Sequence, residues 1–134
     1  MIVDSYQLLL NQKGFSTNLT AEEKSFAFAV RIVKLCNYLA ESKKAYTLSN
    51  QLLRAGTSIG ANLAESQQAQ SRPDFISKLS IALKEAAETH YWLRLLHATN
   101  YMTDVEYESI VADCRELEKM LTSIIKSTKS TERQ

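Results

Sequence analysis

Glycine and proline are nearly missing from this chain, at three and one among 134 residues. Ordinary chains carry about 7% and 5% of them, and turns and strand ends rely on both. A sandwich or barrel of short strands, turning about every 8–12 residues, would have almost nothing to turn with. Long apolar runs are missing as well. No stretch approaches the ~18 apolar residues of a membrane span. The opening MIVDSYQLLLNQKGF has neither a basic leader nor a long apolar segment ending in a small-residue cleavage site. The expectation is a cytoplasmic protein with no membrane partner. Cysteine is scarce too. Cys36 and Cys114 show no CxxC and no metal spacing, and both fall at apolar positions of helical patterns, where a free thiol behaves as a small hydrophobe. Finally, charge of one sign is not in excess. Sixteen Lys and Arg against fifteen Asp and Glu leave +1, short of the balance of a dedicated DNA binder, whose pI usually exceeds about 9.

What is present is helical periodicity. Hydrophobic residues make up 45% of a length that fits one domain, and they recur at i, i+3, i+4, i+7 spacing. Thr20-Ala-Glu-Glu23 has the form of a capping box, followed by Phe28, Ile32, Leu35 and Leu39 on one face. Lys43 and Lys44 sit in the last turn, where cations suit the helix dipole. A second helix is expected over about 47–70, a third from Ser71-Arg-Pro-Asp74 to about Ala98, and a fourth from the capping box Thr103-Asp-Val-Glu106. Short connections favour antiparallel neighbours. The fold class read from this pattern is all-α, an antiparallel up-down-up-down four-helix bundle over residues 20–127. Residues 1–19 form an N-terminal arm, for which a short helix over 4–11 and a flexible arm are both open. Residues 128–134 read as a polar, solvated tail.

The second helix is unusual. Between Ala45 and Ser71, Arg54 and Glu65 are the only charges, and they share a narrow stripe with Ser58 and Asn62. Gly56 and Gly60 lie on its apolar arc, each costing about 1 kcal/mol against Ala in a helix. Close helix–helix approach is the expected compensation, and both faces of this helix are expected to be covered. Arg54 and Glu65 are three turns apart, too far for a mutual pair, so each should find a partner on another helix or another subunit.

Catalytic and cofactor patterns are not found. A di-metal bundle site needs Glu-x-x-His, but Ala87 and Arg94 stand three residues before His90 and His97. Glu85 and Glu88 read as a solvated face, and the two histidines as residues at the edge of the core. There is no phosphate-binding glycine loop. Tyr91, Trp92 and Tyr101 lie near Arg94, a grouping compatible with base stacking and also with core packing. Charge is unevenly spread. Residues 21–44 hold five basic and three acidic side chains, and residues 104–126 six acidic and three basic. The alternatives are oppositely charged surfaces on the bundle or ordinary solvation.

The second helix also carries a family resemblance. Gln51-Leu-Leu-Arg-Ala-Gly-Thr-Ser-Ile-Gly-Ala-Asn-Leu-Ala-Glu65, followed by Phe75-Ile-Ser-Lys-Leu-Ser-Ile-Ala82, resembles the four-helix bundle family related to 23S rRNA intervening-sequence proteins, often labelled ribosomal-protein-like. The matching positions are Gln51, Arg54, Ala55, Ser58, Ile59, Asn62, Ala64 and Glu65, and the similarity extends over about residues 24–128. Two departures stand out. Many members have paired arginines where this chain has Leu53-Arg54, which weakens any phosphate contact carried over to this helix, and a glycine where it has Ser66. The resemblance implies an antiparallel bundle assembled into a ring-like homopentamer with no known catalytic activity. The chain is more distantly similar to the accessory variability determinant of diversity-generating retroelements, which implies a basic surface working with a reverse transcriptase and nucleic acid.

The expected function is therefore a non-enzymatic, oligomeric binding or scaffold module without cofactor, metal or small-molecule substrate. Its expected partner is RNA, DNA or a nucleoprotein, with a pure protein–protein scaffold as the alternative. Candidate nucleic-acid contacts are Arg31, Lys34, Lys43, Lys44, Arg54, Lys78 and Lys84. Candidate interface or packing residues are Arg54, Gly56, Ser58, Gly60, Asn62 and Glu65.

Overall fold

The structure, a computed structural model, describes residues 19–132. The arm, including the short helix considered over 4–11, lies outside the described residues apart from Leu19, which is buried and belongs to the core. Four helices follow: α1 (Ala21–Lys43), α2 (Tyr46–Ser66), α3 (Arg72–Ala98) and α4 (Asp104–Glu132). Each packs on its sequence neighbours, and α1 meets α4 along a sparser seam. This is the antiparallel four-helix bundle expected from the sequence.

The caps explain the boundaries. Thr20 Oγ1 accepts from the Glu23 amide at 3.1 Å while Glu23 Oε1 accepts from the Thr20 amide at 3.1 Å. Thr103 and Glu106 repeat this exchange at the start of α4, at 3.1 and 2.9 Å. Ser71 caps α3 by accepting from the Asp74 amide, and Pro73 falls in the first turn, where a missing N–H does no harm. Helix α1 ends on Lys44 in the left-handed region at φ 58°, the conformation glycine more often supplies there. Asn100 takes the same conformation at φ 67° after α3.

Two boundaries differ from expectation. Helix α2 stops at Ser66 rather than near residue 70. Ser71 must adopt an extended backbone to cap α3, so the chain has to leave the helix before it, and residues 67–70 make the turn. Helix α4 runs on to Glu132, through the stretch read as a polar tail. There Thr128 Oγ1 and Thr131 Oγ1 donate to the carbonyls of Ile124 and Ser127, and no Gly or Pro interrupts. Polarity kept these side chains in solvent without ending the helix.

The core follows the predicted stripes. Phe28, Ile32 and Leu39 from α1, Leu52 and Ile59 from α2, Leu93 and Leu96 from α3, and Ile110 and Leu121 from α4 are wholly buried. The α1–α2 seam is the tight one. A Cβ built on Gly56 would stand 2.8 Å from Ile32 Cγ2 and 2.9 Å from Cγ1, and one on Gly60 would stand 3.3 Å from Ser25 Oγ. Ile32 branches at Cβ and is stiff in a helix, so it cannot easily swing away. The Gly56→Ala change gains about 1 kcal/mol of helix propensity but forces this contact, and overpacking costs about 1–3 kcal/mol. We expect Gly56→Ala to be net destabilising and Gly56→Leu more so, read as lowered Tm. An unchanged or raised Tm for Gly56→Leu would contradict the close approach.

Candidate nucleic-acid interface

The structure sorts the seven candidate cations by what already holds them. Arg31 is 3% exposed. Its Nη1 lies 2.5 Å from Asp113 Oδ2 and 3.3 Å from the Ser109 carbonyl oxygen, and its Nη2 donates to Ser109 Oγ at 2.8 Å. A buried guanidinium spent on α4 offers nothing to a phosphate, so Arg31 leaves the set of surface contacts. Burial is the larger influence on Asp113 and holds its carboxyl above the usual range, against the pull of Arg31.

Arg54 finds its partners on α3. It is ion-paired with Glu88, lies 3.4 Å from Glu85 Oε2, and donates to Gln51 Oε1 at 3.3 Å. Glu65 also pairs with α3, its Oε1 standing 3.2 Å from Lys78 Nζ. The two lone charges of α2 thus pin it to one neighbour, and Arg54 and Lys78 are both engaged by carboxylates. Ser58 and Asn62 bond within their own helix, to the Arg54 and Ser58 carbonyls. On the same arc of α2 as Arg54, Asn50, Ala61 and Ala64 are exposed, so the expected coverage of both faces is not provided within one chain.

Glu85 and Glu88, read from the sequence as a solvated face, are instead the anchor for Arg54. Trp92 Nε1 donates to Glu88 Oε2 at 2.9 Å, and Tyr91 meets the indole edge-on with centroids 5.1 Å apart. The signal available in the sequence was the i, i+4 spacing of Glu88 and Trp92. The indole hydrogen bond, with help from Arg54, holds the Glu88 carboxyl below its ordinary range.

The remaining candidates are exposed. Lys34, Lys43 and Lys44 lie on α1 and its C-terminal cap, and Lys84 lies on α3, which does not pack on α1. Lys43 borders a polar cleft of about 400 Å³ at the end of the bundle where the α1–α2 and α3–α4 connections meet. Tyr38, His97, Asn100, Tyr101, Asp104 and Glu106 also line it. His97 stacks flat on Tyr107, centroids 4.1 Å apart, and its Nε2 lies 2.7 Å from Asp104 Oδ1. Residue 97 is thus held rather than swinging free.

His90 lies half-buried with Nδ1 3.0 Å from Glu118 Oε1. The two thiols are buried. Burial pushes Cys36 up to about 12, and Cys114, buried beside Glu118, is pushed up further. Such thiols are poor nucleophiles, because the thiolate is the reactive form. No group of three or more His, Cys, Asp or Glu side chains that could hold a metal occurs among the described residues, and no helix is long and apolar enough to cross a membrane.

Comparison with known proteins adds the following. The family model described as 23S rRNA-intervening sequence protein matches residues 17–123. The chain is similar, at 57% identity and a TM-score of 0.79, to the crystal structure of a protein with unknown function from the S23 ribosomal protein family of Bacteroides thetaiotaomicron, over 80% of this chain and 99% of that one. No protein of curated function matches.

The Glu88–Trp92 bond makes a pH prediction. A carboxyl whose folded pKa lies below its unfolded value contributes stability that is full above the unfolded value, about 4.3 for Glu, and is lost as pH falls through the folded one. Trp92 is the single tryptophan, so its emission should shift with a midpoint below about 4.3. A midpoint at or above that value would contradict the hydrogen bond.

Proposed function

This chain belongs to the 23S rRNA-intervening sequence protein family, and from that premise we propose that it is a non-enzymatic, oligomeric bundle module that binds structured RNA or a nucleoprotein. One observation carries the reading. At the turn end of the bundle, Lys43 and the aromatic rings of Tyr38, His97 and Tyr101 border one cleft, with Lys44 exposed next in the chain. Cations there neutralise phosphate, and aromatic faces stack bases, worth about 1–3 kcal/mol per base. Asp104, beside His97, and Glu106 line the same cleft, where they repel phosphate and suit the amino edge of a base. In this reading the backbone runs along Lys43–Lys44 and a base enters the cleft.

Assembly follows the same logic. The two charges of α2 are spent on α3, so its outer face presents another copy of the chain with little unpaired charge to desolvate. Repetition around a homopentamer would multiply a modest patch fivefold, which answers the net charge of only +1. The buried, proton-bound thiols and the held histidines support the non-enzymatic reading.

Two measurements test this. Affinity for structured RNA, titrated against salt, should fall steeply. Each neutralised phosphate adds about 0.7–0.9 to the log–log slope, so Lys43→Ala/Lys44→Ala should lower it by roughly one to two. Undetectable or salt-independent binding, or a slope indifferent to both lysines, would sink the nucleic-acid role. Pull-downs that survive nuclease would then favour the scaffold. Light scattering at micromolar concentration should give a multiple of the 15.1 kDa chain mass, and a monomer would contradict the assembly.

A further inference from the structure

The polar cleft at the turn end holds more than aromatic rings and a lysine. Two carboxylates line it, Asp104 and Glu106, and they differ in what already occupies them. Glu106 Oε1 accepts from the Thr103 amide at 2.9 Å and is committed to the cap of α4. Asp104 has one side-chain partner among the described residues, His97, whose Nε2 lies 2.7 Å from Oδ1. Because the His97 ring is stacked on Tyr107, this contact orients the carboxylate, and it leaves Oδ2 open. The Asp104 side chain is 93% exposed, so a ligand reaches it without rearrangement. Asn100 is exposed on the same cleft, and its side-chain amide has no hydrogen-bond partner among the described residues.

A carboxylate only accepts hydrogen bonds, and its two oxygens suit a pair of parallel donors. That preference separates the bases. On the edge used for Watson–Crick pairing, guanine alone puts two donors side by side, N1–H and the N2 amino group, with the O6 acceptor next to them. Adenine and cytosine set a ring-nitrogen acceptor beside one amino group, and uracil flanks its one N–H with two carbonyls. Against Asp104 each of these three turns a lone pair toward a negative oxygen. The Asn100 amide is a donor of the kind that O6 takes. This edge is free only where a nucleotide is unpaired, as in a loop of structured RNA.

We propose that the cleft takes the base of an unpaired guanosine, with Asp104 accepting from N1–H and the N2 amino group. The inference rests on the RNA reading of the same cleft and adds the nucleotide that it selects. Lys43 stays with the phosphate, and His97 is a positioning residue that holds the carboxylate.

RNA hairpins of one stem test this with the full-length chain, their uridine loops carrying guanosine, inosine, adenosine or uridine at the centre. Inosine lacks only the N2 amino group. The guanosine loop should bind tighter than each of the others by about fivefold or more, the low end of what a bidentate pair discriminates. Asp104→Asn, an isosteric change at an exposed position, should erase that ratio while affinity still falls with salt. Equal affinities for the four loops, with steep salt dependence, would overturn the guanosine assignment and leave RNA binding standing. No binding to any hairpin would overturn both. A ratio kept by Asp104→Asn would overturn the role of Asp104. Guanosine 5′-monophosphate, which lacks the neighbouring phosphates, should bind far more weakly than the guanosine hairpin. Equal affinity would make the ligand a free nucleotide and overturn the loop.

Discussion

A guanidinium that does not lose its proton sits in the seam where the first and last helices meet. Arg31 and Asp113 are 82 positions apart in sequence, and bringing them together closes the bundle. The seam is sparse in backbone contacts, so the side chains that cross it have to fix its register. Arg31 does so with three acceptors on α4, and the Lys24–Glu116 pair sits one to two turns further along. A buried charge is tolerated only when it is paired and hydrogen-bonded, and sliding α4 on α1 would take Asp113 and Ser109 away from Arg31. The uneven charge of α1 and α4 is thereby explained in part. Two of the α1 cations, Lys24 and Arg31, meet α4 carboxylates across this seam.

The opposite seam works by the absence of side chains. Gly56 and Gly60 let α2 approach α1 until Ile32 and Ser25 fill the room a Cβ would need. Helix α2 is then held from its other flank by Arg54 and Glu65, both paired to α3. This leaves a helix almost without free charge and bordered by an apolar groove, on the side away from α3. At the turn end, Lys43 borders a cleft lined by aromatic side chains, with Lys44 exposed beside it. The structure thus separates two surfaces, an apolar one along α1 and α2 and a polar one of mixed charge at the turns.

The fold was legible in the sequence because its signals are local. Capping boxes at Thr20 and Thr103, proline behind Ser71 and apolar stripes at helical period each depend on residues within a few positions. The glycine pair was legible as a packing face for the same reason. What could not be read was which cation is buried. Lys24, Arg31 and Lys34 stand one or two turns apart on α1, and their fates depend on where α4 lies, a fact encoded some 80 positions away. Glu88 was misread for a similar reason: its role as anchor requires Arg54 to come alongside from α2. The end of α4 was misread because threonine hydroxyls bonding to the preceding turn let a polar stretch stay helical.

What is left for a partner is the charge that remains after the fold has taken its share. That remainder depends most on Arg31 being structural. A double-mutant cycle of chemical denaturation on Arg31 and Asp113 tests it directly. Asp113→Leu takes the carboxylate from a buried cation and should cost about 3–5 kcal/mol. Arg31→Met should cost less, since Asp113 can take up a proton, and the double change should recover most of the loss. Near-zero cost for Asp113→Leu, with Arg31→Met weakening RNA binding at unchanged stability, would contradict the account.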